Sequence, residues 1–214
     1  MTTVYLARHG RTAWNREEVF RGLTDVPLDE VGRQQAAALG KALKGRTPLP
    51  DLVVCSPLSR AKETALIAVH EAAWETDARE EPAFRDLHFG SWEGLTRHQV
   101  AEKYPDLYRR WSSEPDQVEF PGGESLSAVL ARSWGALTAL VDRHPGKSIL
   151  VVTHRVVCKV LLGQALGAGL KAFWRIRQDT ACLNVLNWHG SYFEVLHMND
   201  TSHLSNIARD LRDF

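Results

Sequence analysis

The sequence predicts a three-layer α/β protein, a mostly parallel central sheet with helices on both faces, and three observations point there. Short apolar runs at residues 4–7, 52–55, 149–153 and 181–186 read as buried strands. Segments of helical period separate them. The composition, 44% hydrophobic and 24% charged over 214 residues, is that of an ordinary globular chain with enough length for a sizeable core.

Taken in order, the strand at 4–7 runs into Arg8, His9 and Gly10. A helix over 29–43 follows, with Val31, Leu39, Ala42 and Leu43 inward and Gly45 as its stop. The next helix begins near Pro57, just beyond the strand at 52–55, and carries Arg60, Thr64 and Ile67. Between 92 and 123, Trp, Tyr, Pro and charge replace the periodic signals. That stretch predicts a small helical insertion within a single domain spanning 1–214. The clearest helix covers 124–141, where Leu126, Val129, Leu130, Trp134, Leu137, Leu140 and Val141 share one face ahead of His144-Pro-Gly. Residues 191–197 read as one more strand, forming a hairpin with 181–186. Beyond Leu204 the tail reads as a loose helix or as disordered.

Lys plus Arg equals Asp plus Glu at 26 each, so no global field draws nucleic acid or an anionic membrane, and any anion site must be local. The amino terminus has too short an apolar stretch for a signal peptide, and no run approaches the roughly 18 residues of a membrane span. A cytoplasmic protein is expected, without nucleic-acid or membrane partners. Cys55, Cys158 and Cys182 are odd in number and set among apolar residues, which predicts free buried thiols. No two histidines sit at helical ligand spacing beside a carboxylate, so neither a metal nor another cofactor is expected. Apolar edge strands leave room for a homodimer.

The chemistry gathers at strand ends. Arg8 and His9 close the first strand, His154 closes the strand at 149–153, and Arg60 falls in the first turn of the helix after 52–55. The carboxyl edge of an open α/β sheet is where ligands bind, and a helix amino terminus favours anions. Two arginines and two histidines converging on one spot call for an anion, and guanidinium forks match phosphate oxygens.

The stretch Leu-Ala-Arg-His-Gly-Arg-Thr-Ala-Trp-Asn at 6–15 resembles the signature of the histidine phosphatase superfamily, which includes the phosphoglycerate mutases. Six further motifs follow in that family's order, at 21–36, 55–65, 85–94, 120–125, 151–154 and 199–204. The resemblance spans nearly the whole chain. It implies a phosphomonoesterase acting on small phosphorylated metabolites through a phosphohistidine. His9 would be the nucleophile, Arg8, Arg60 and His154 the rest of the phosphate pocket, and Asp86 the proton donor. Asn15, Arg21, Gly22, Arg155 and His203 would contact substrate, with the insertion lying over the active site.

Some assignments stay open at this point. Glu93 rivals Asp86 as the acid, His88 and His203 could be structural, and Trp111 in the insertion could serve as a ligand platform. Arg11, Arg21 and Arg155 stand where the family commonly has other residues, and together they suggest a substrate with a second negative group. The segment Phe-Gly-Ser-Trp-Glu-Gly at 89–94 resembles the phosphatase branch, and residues 102–125 resemble metal-independent phosphoserine phosphatases and broad-specificity relatives, although the phosphoserine enzymes carry a histidine where this chain has Phe89. A phosphoglycerate mutase and an inactive phosphate-binding protein of the same fold are the alternatives.

Overall fold

The computed structural model describes residues 1–46 and 48–207. Strand β1 (Thr2–Arg8) is buried along its whole length. The pleat sends Val4 and Leu6 to one face and Tyr5 and Ala7 to the other, and both faces are covered. The short helix α1 (Ala13–Arg16) follows, then α2 (Glu30–Lys44), whose cap Asp29 accepts from the Gly32 N–H at 2.8 Å. Next come β2 (Leu52–Cys55), α3 (Ser59–Ala72) and β3 (Ala78–Glu80). Residues 92–123 hold α4 (Arg97–Lys103) and α5 (Pro105–Ser113), and α6 (Leu126–Arg143) begins on the Ser125 cap. The chain continues through β4 (Ser148–Thr153), α7 (Arg155–Ala165), β5 (Leu183–Trp188) and β6 (Phe193–Asp200).

The six strands run in the order β3-β2-β4-β1-β5-β6. Strands β3, β2, β4 and β1 are mutually parallel, while β5 and β6 add an antiparallel hairpin at one edge. One core joins the sheet to α6, α7 and the aromatic residues of 84–120, and the other joins it to α2 and α3. The expected three layers are therefore present, with the sheet mostly parallel.

Three details depart from the sequence reading. Strand β3 was not anticipated, because Ala-Arg-Glu carries no apolar pattern and pairs only at the sheet edge. The hairpin strands lie two residues later than expected. Ala181 adopts a left-handed φ of 52° and gives its N–H to the His9 carbonyl, so the ladder starts beyond it. The bounds of α6 also shift, since Ser125 caps the helix that the periodicity started at Glu124. Cys55, Cys158 and Cys182 are buried free thiols. Among the described residues no helix is long and apolar enough to cross a membrane. The tail from 208 on lies outside the described residues.

Candidate active site

The carboxyl ends of β1, β2 and β4 lie side by side, and the cluster is built where they stop. The His9 N–H donates to the Thr153 carbonyl of β4 at 2.9 Å. The turn that follows is tight. A Cβ on Gly10 would lie 2.4 Å from the Gly32 carbonyl oxygen, so a side chain there would push the loop off α2. Thr64 of α3 closes the same junction, its hydroxyl accepting from the Gly10 N–H at 3.0 Å and donating to the Arg60 carbonyl at 2.7 Å. One hydroxyl thus fixes the His9–Gly10 loop against the turn that carries Arg60.

Arg8, His9, Arg60 and His154 are fully buried, and Asn15, Arg21, Asp86 and Arg155 nearly so. The His9 and His154 ring centroids are 5.2 Å apart. His9 Nδ1 lies 2.6 Å from the Gly10 carbonyl oxygen, which can only accept. Nδ1 therefore carries the proton and Nε2 keeps its lone pair. Among the described residues nothing hydrogen-bonds that Nε2. His154 is held through Nε2 by Ser56 Oγ at 2.7 Å, with Nδ1 3.7 Å from Asp86 Oδ2. Arg60 Nη2 donates to Asp86 Oδ2 at 3.2 Å and to the Gly22 carbonyl at 2.8 Å, while Nη1 holds the Thr24 carbonyl. Arg8 Nη1 is anchored on the Gln178 carbonyl at 2.6 Å.

Several donors remain over. Asn15 Oδ1 accepts both the N–H and the hydroxyl of Thr12, which turns its amide nitrogen the other way. That nitrogen, Nε and Nη1 of Arg21 and Nε of Arg60 are buried without a protein hydrogen bond. Buried donors of this kind are costly unless a ligand supplies the acceptors. Electrostatics point the same way. Burial, reinforced by Arg60, pushes the His9 and His154 imidazoles well below their ordinary value, so both are neutral at neutral pH. Burial, with Arg8 and Arg60 adding to it, likewise pushes Arg21 well down, and burial beside Arg8 brings Arg155 to about 9. Asp86 is the carboxylate at this cluster, and the arrangement has the charge and geometry to hold a phosphoryl group.

Arg21, Asp86 and Arg155 line one cleft together with Val19, Phe20, Phe89 and Val156. The structure thus brings Arg8, His9, Arg21, Arg60, Asp86, His154 and Arg155 together, and the other candidates are placed as follows. Gly22 takes a left-handed φ of 52° and offers its carbonyl to Arg60, and a Cβ there would meet Glu93 Oε1 at 2.0 Å. Glu93 is occupied by the N–H groups of Leu23 and Phe89 and the Thr24 hydroxyl, which makes it a strap for the 21–24 turn. His203 Nε2 sits 3.0 Å from the Ala181 carbonyl, one residue link behind His9, away from the cleft lining. Arg11 is paired with Asp29 at 2.7 Å, so of the three unusual arginines Arg21 and Arg155 face the cleft. Trp111 is buried against Phe89, Phe120, Phe173 and Trp174.

Sequence reasoning missed the supports. Thr64 was visible only as a helix residue, and nothing local marks Gln178, Glu124 or Arg132. Their partners lie 39 to 170 residues away in the chain for Glu124 with Arg85 and Gln178 with Arg8.

Comparison with known proteins shows the family. The model of the histidine phosphatase superfamily (branch 1) matches residues 4–201. Phosphoserine phosphatase 1 of Hydrogenobacter thermophilus is 36% identical over 207 residues, covering 97% of this chain and 96% of the relative. A metal-independent phosphoserine phosphatase of Arabidopsis thaliana is 33% identical, covering 100% of this chain and 88% of the relative. Among solved structures, YhfR of Bacillus stearothermophilus superposes with a TM-score of 0.89 at 32% identity, over 95% of this chain and 100% of that one. With strand ends, paired histidines and phosphate-matching arginines arranged as described, the chain belongs to the histidine phosphatase superfamily, branch 1.

Proposed function

We propose that this phosphoric monoester hydrolase works without a metal by passing the phosphoryl group through Nε2 of His9, and that its substrate is a small phosphomonoester with a second anionic group. The observation that carries the reading is the tautomer: the Gly10 carbonyl fixes the proton on Nδ1, so the lone pair on Nε2 faces a pocket of buried cations. Arg8, Arg60 and the Asn15 amide hold the equatorial oxygens, and protein catalysis of such a transfer is mostly position and charge. His154 joins them through Nδ1 when the Ser56 hydroxyl donates to its Nε2. Nε2 of His9 bonds to phosphorus as the ester oxygen departs, and Asp86 gives that oxygen its proton. A water then attacks the phosphohistidine, returns a proton to Asp86 and frees His9 and phosphate. Arg21 and Arg155, on the cleft wall beyond Asp86, are assigned to the second anion. The names of the phosphoserine phosphatase relatives support a carboxylate-bearing ester of that size.

Brief exposure to ³²P-labelled substrate in EDTA should yield an acid-labile, alkali-stable phosphoenzyme. His9→Ala should abolish it and lower turnover by roughly 10⁴-fold or more. Label retained in that variant, or activity lost to the chelator, would sink the reading.

A further inference from the structure

Asp86 sits in a segment that cannot hold itself in place. Residues 85–89 lie between two single turns of 3₁₀ helix, at Pro82–Phe84 and Gly90–Trp92, and the whole stretch belongs to no strand or α-helix. Their carbonyls need donors from elsewhere. Thr153 at the end of β4 supplies one, its hydroxyl donating to the Phe84 carbonyl at 2.7 Å. Arg132, on α6, supplies the others. Its Nη1 donates to the carbonyls of Ala83 at 2.7 Å and Arg85 at 2.8 Å, and its Nη2 to that of Asp86 itself at 2.9 Å. The remaining donors reach Glu124, Nε to Oε1 at 3.1 Å and Nη2 to Oε2 at 2.9 Å. All five N–H groups of the guanidinium are thereby engaged.

Glu124 completes the frame from the other side. Oε2 accepts the His88 N–H at 3.2 Å and Oε1 accepts Arg85 Nη2 at 3.1 Å, while the Glu124 N–H donates to the His88 carbonyl. Burial alone would raise the Glu124 carboxyl, but Arg132, the His88 N–H and Arg85 outweigh it and hold the group below its ordinary value. The frame grips the backbone of residues 83, 85, 86 and 88 and leaves the Asp86 carboxyl to face Arg60 and His154.

We propose that Arg132, braced by Glu124, is a positioning residue for proton transfer, fixing Asp86 at the distance from which it protonates the leaving oxygen. The inference rests on reading Asp86 as the acid. Lysine in place of Arg132 keeps the charge but cannot fan across three carbonyls and a carboxylate. A shift of about 1 Å in a reacting group costs on the order of 100-fold in rate.

The test compares single-turnover rates of phosphoenzyme formation from glycerol 3-phosphate, whose alkoxide needs a proton, and p-nitrophenyl phosphate, whose phenolate does not. Arg132→Gln should slow the alkyl ester by roughly 30- to 100-fold and the aryl ester by less than about 3-fold, with Arg132→Lys and Glu124→Gln intermediate. In an Asp86→Asn background, Arg132→Gln should add no further loss on the alkyl ester, because the group it positions is gone. Equal losses on both esters, or a full additional loss in that background, would overturn the positioning role and leave Asp86 as the acid. If Asp86→Asn itself fails to separate the two esters, the acid assignment falls and the positioning role falls with it. Should Arg132→Gln not fold, Arg132→Lys and Glu124→Gln carry the same comparison.

Discussion

Two sets of arginines stand about Asp86, and they are finished differently. Around the pocket, Arg21 and Arg60 keep buried nitrogens that no protein group accepts, and burial pushes both guanidiniums down, with Arg8 and Arg60 adding to it at Arg21. On the opposite side of the same segment, Arg132 has every donor engaged and a carboxylate, Glu124, in bidentate contact. The side chain is the same, but one set awaits an anion while the other already has one. Partner inventory, more than residue type or burial, separates a binding surface from a brace.

The largest expected effect breaks the brace. Urea unfolding of Arg132→Gln should show a loss of about 3 kcal/mol, since it leaves Glu124 and three carbonyls without their donors. Arg21→Gln should leave stability unchanged or raise it, because it removes a buried cation from among like charges. Similar losses in both variants would erase the distinction.

A second effect separates the two regions by pH. Folding holds His9 and His154 below their ordinary value, so the unfolded chain binds protons more readily than the folded one. Stability is therefore full above about pH 6.5 and declines below it, by at most about 1.4 kcal/mol per histidine for each pH unit. Glu124 is shifted in the sense usual for a carboxylate, so its contribution persists until pH falls below the ordinary carboxylate range. Inorganic phosphate at about 100 times its Kd should add about 2.7 kcal/mol. Thermal melts from pH 8 to 5 check both statements. If His9→Asn/His154→Asn keeps the decline between 6.5 and 5, the pocket is not its source.

The smallest effect concerns substrate choice. Arg21→Gln should raise KM for a carboxylate-bearing phosphoester about tenfold, the worth of one charge-assisted contact, and move p-nitrophenyl phosphate by less than about twofold. Equal rises on both would make Arg21 part of the phosphate pocket itself.

What the sequence made legible follows from the range of the interactions. Strands β1, β2 and β4 announce themselves because buried parallel strands are continuous apolar runs. Each is followed at once by its functional side chains, so Arg8, His9, Arg60 and His154 could be read from strand ends alone. Asp86 needed the family resemblance, because residues 83–88 have no periodic signal. Arg132 could not be read at all: on its helix it looks like any solvated arginine, and its three carbonyl partners sit 46 to 49 residues earlier. The same holds for Glu93, which looks like a rival acid until the turn at 21–24 folds against it.

The position of β1 has a consequence for biosynthesis. It is the first strand made, yet both of its neighbours, β4 and β5, come from the last third of the chain. Residue 148 follows residue 8 by 140 positions, about 7 to 28 s of elongation at roughly 5–20 residues per second. During that interval Val4, Leu6 and the other apolar residues of β1 have no sheet to enter. The nascent strand waits for its partners, and His9 beside it acquires its surroundings only once β4 and β5 have been made.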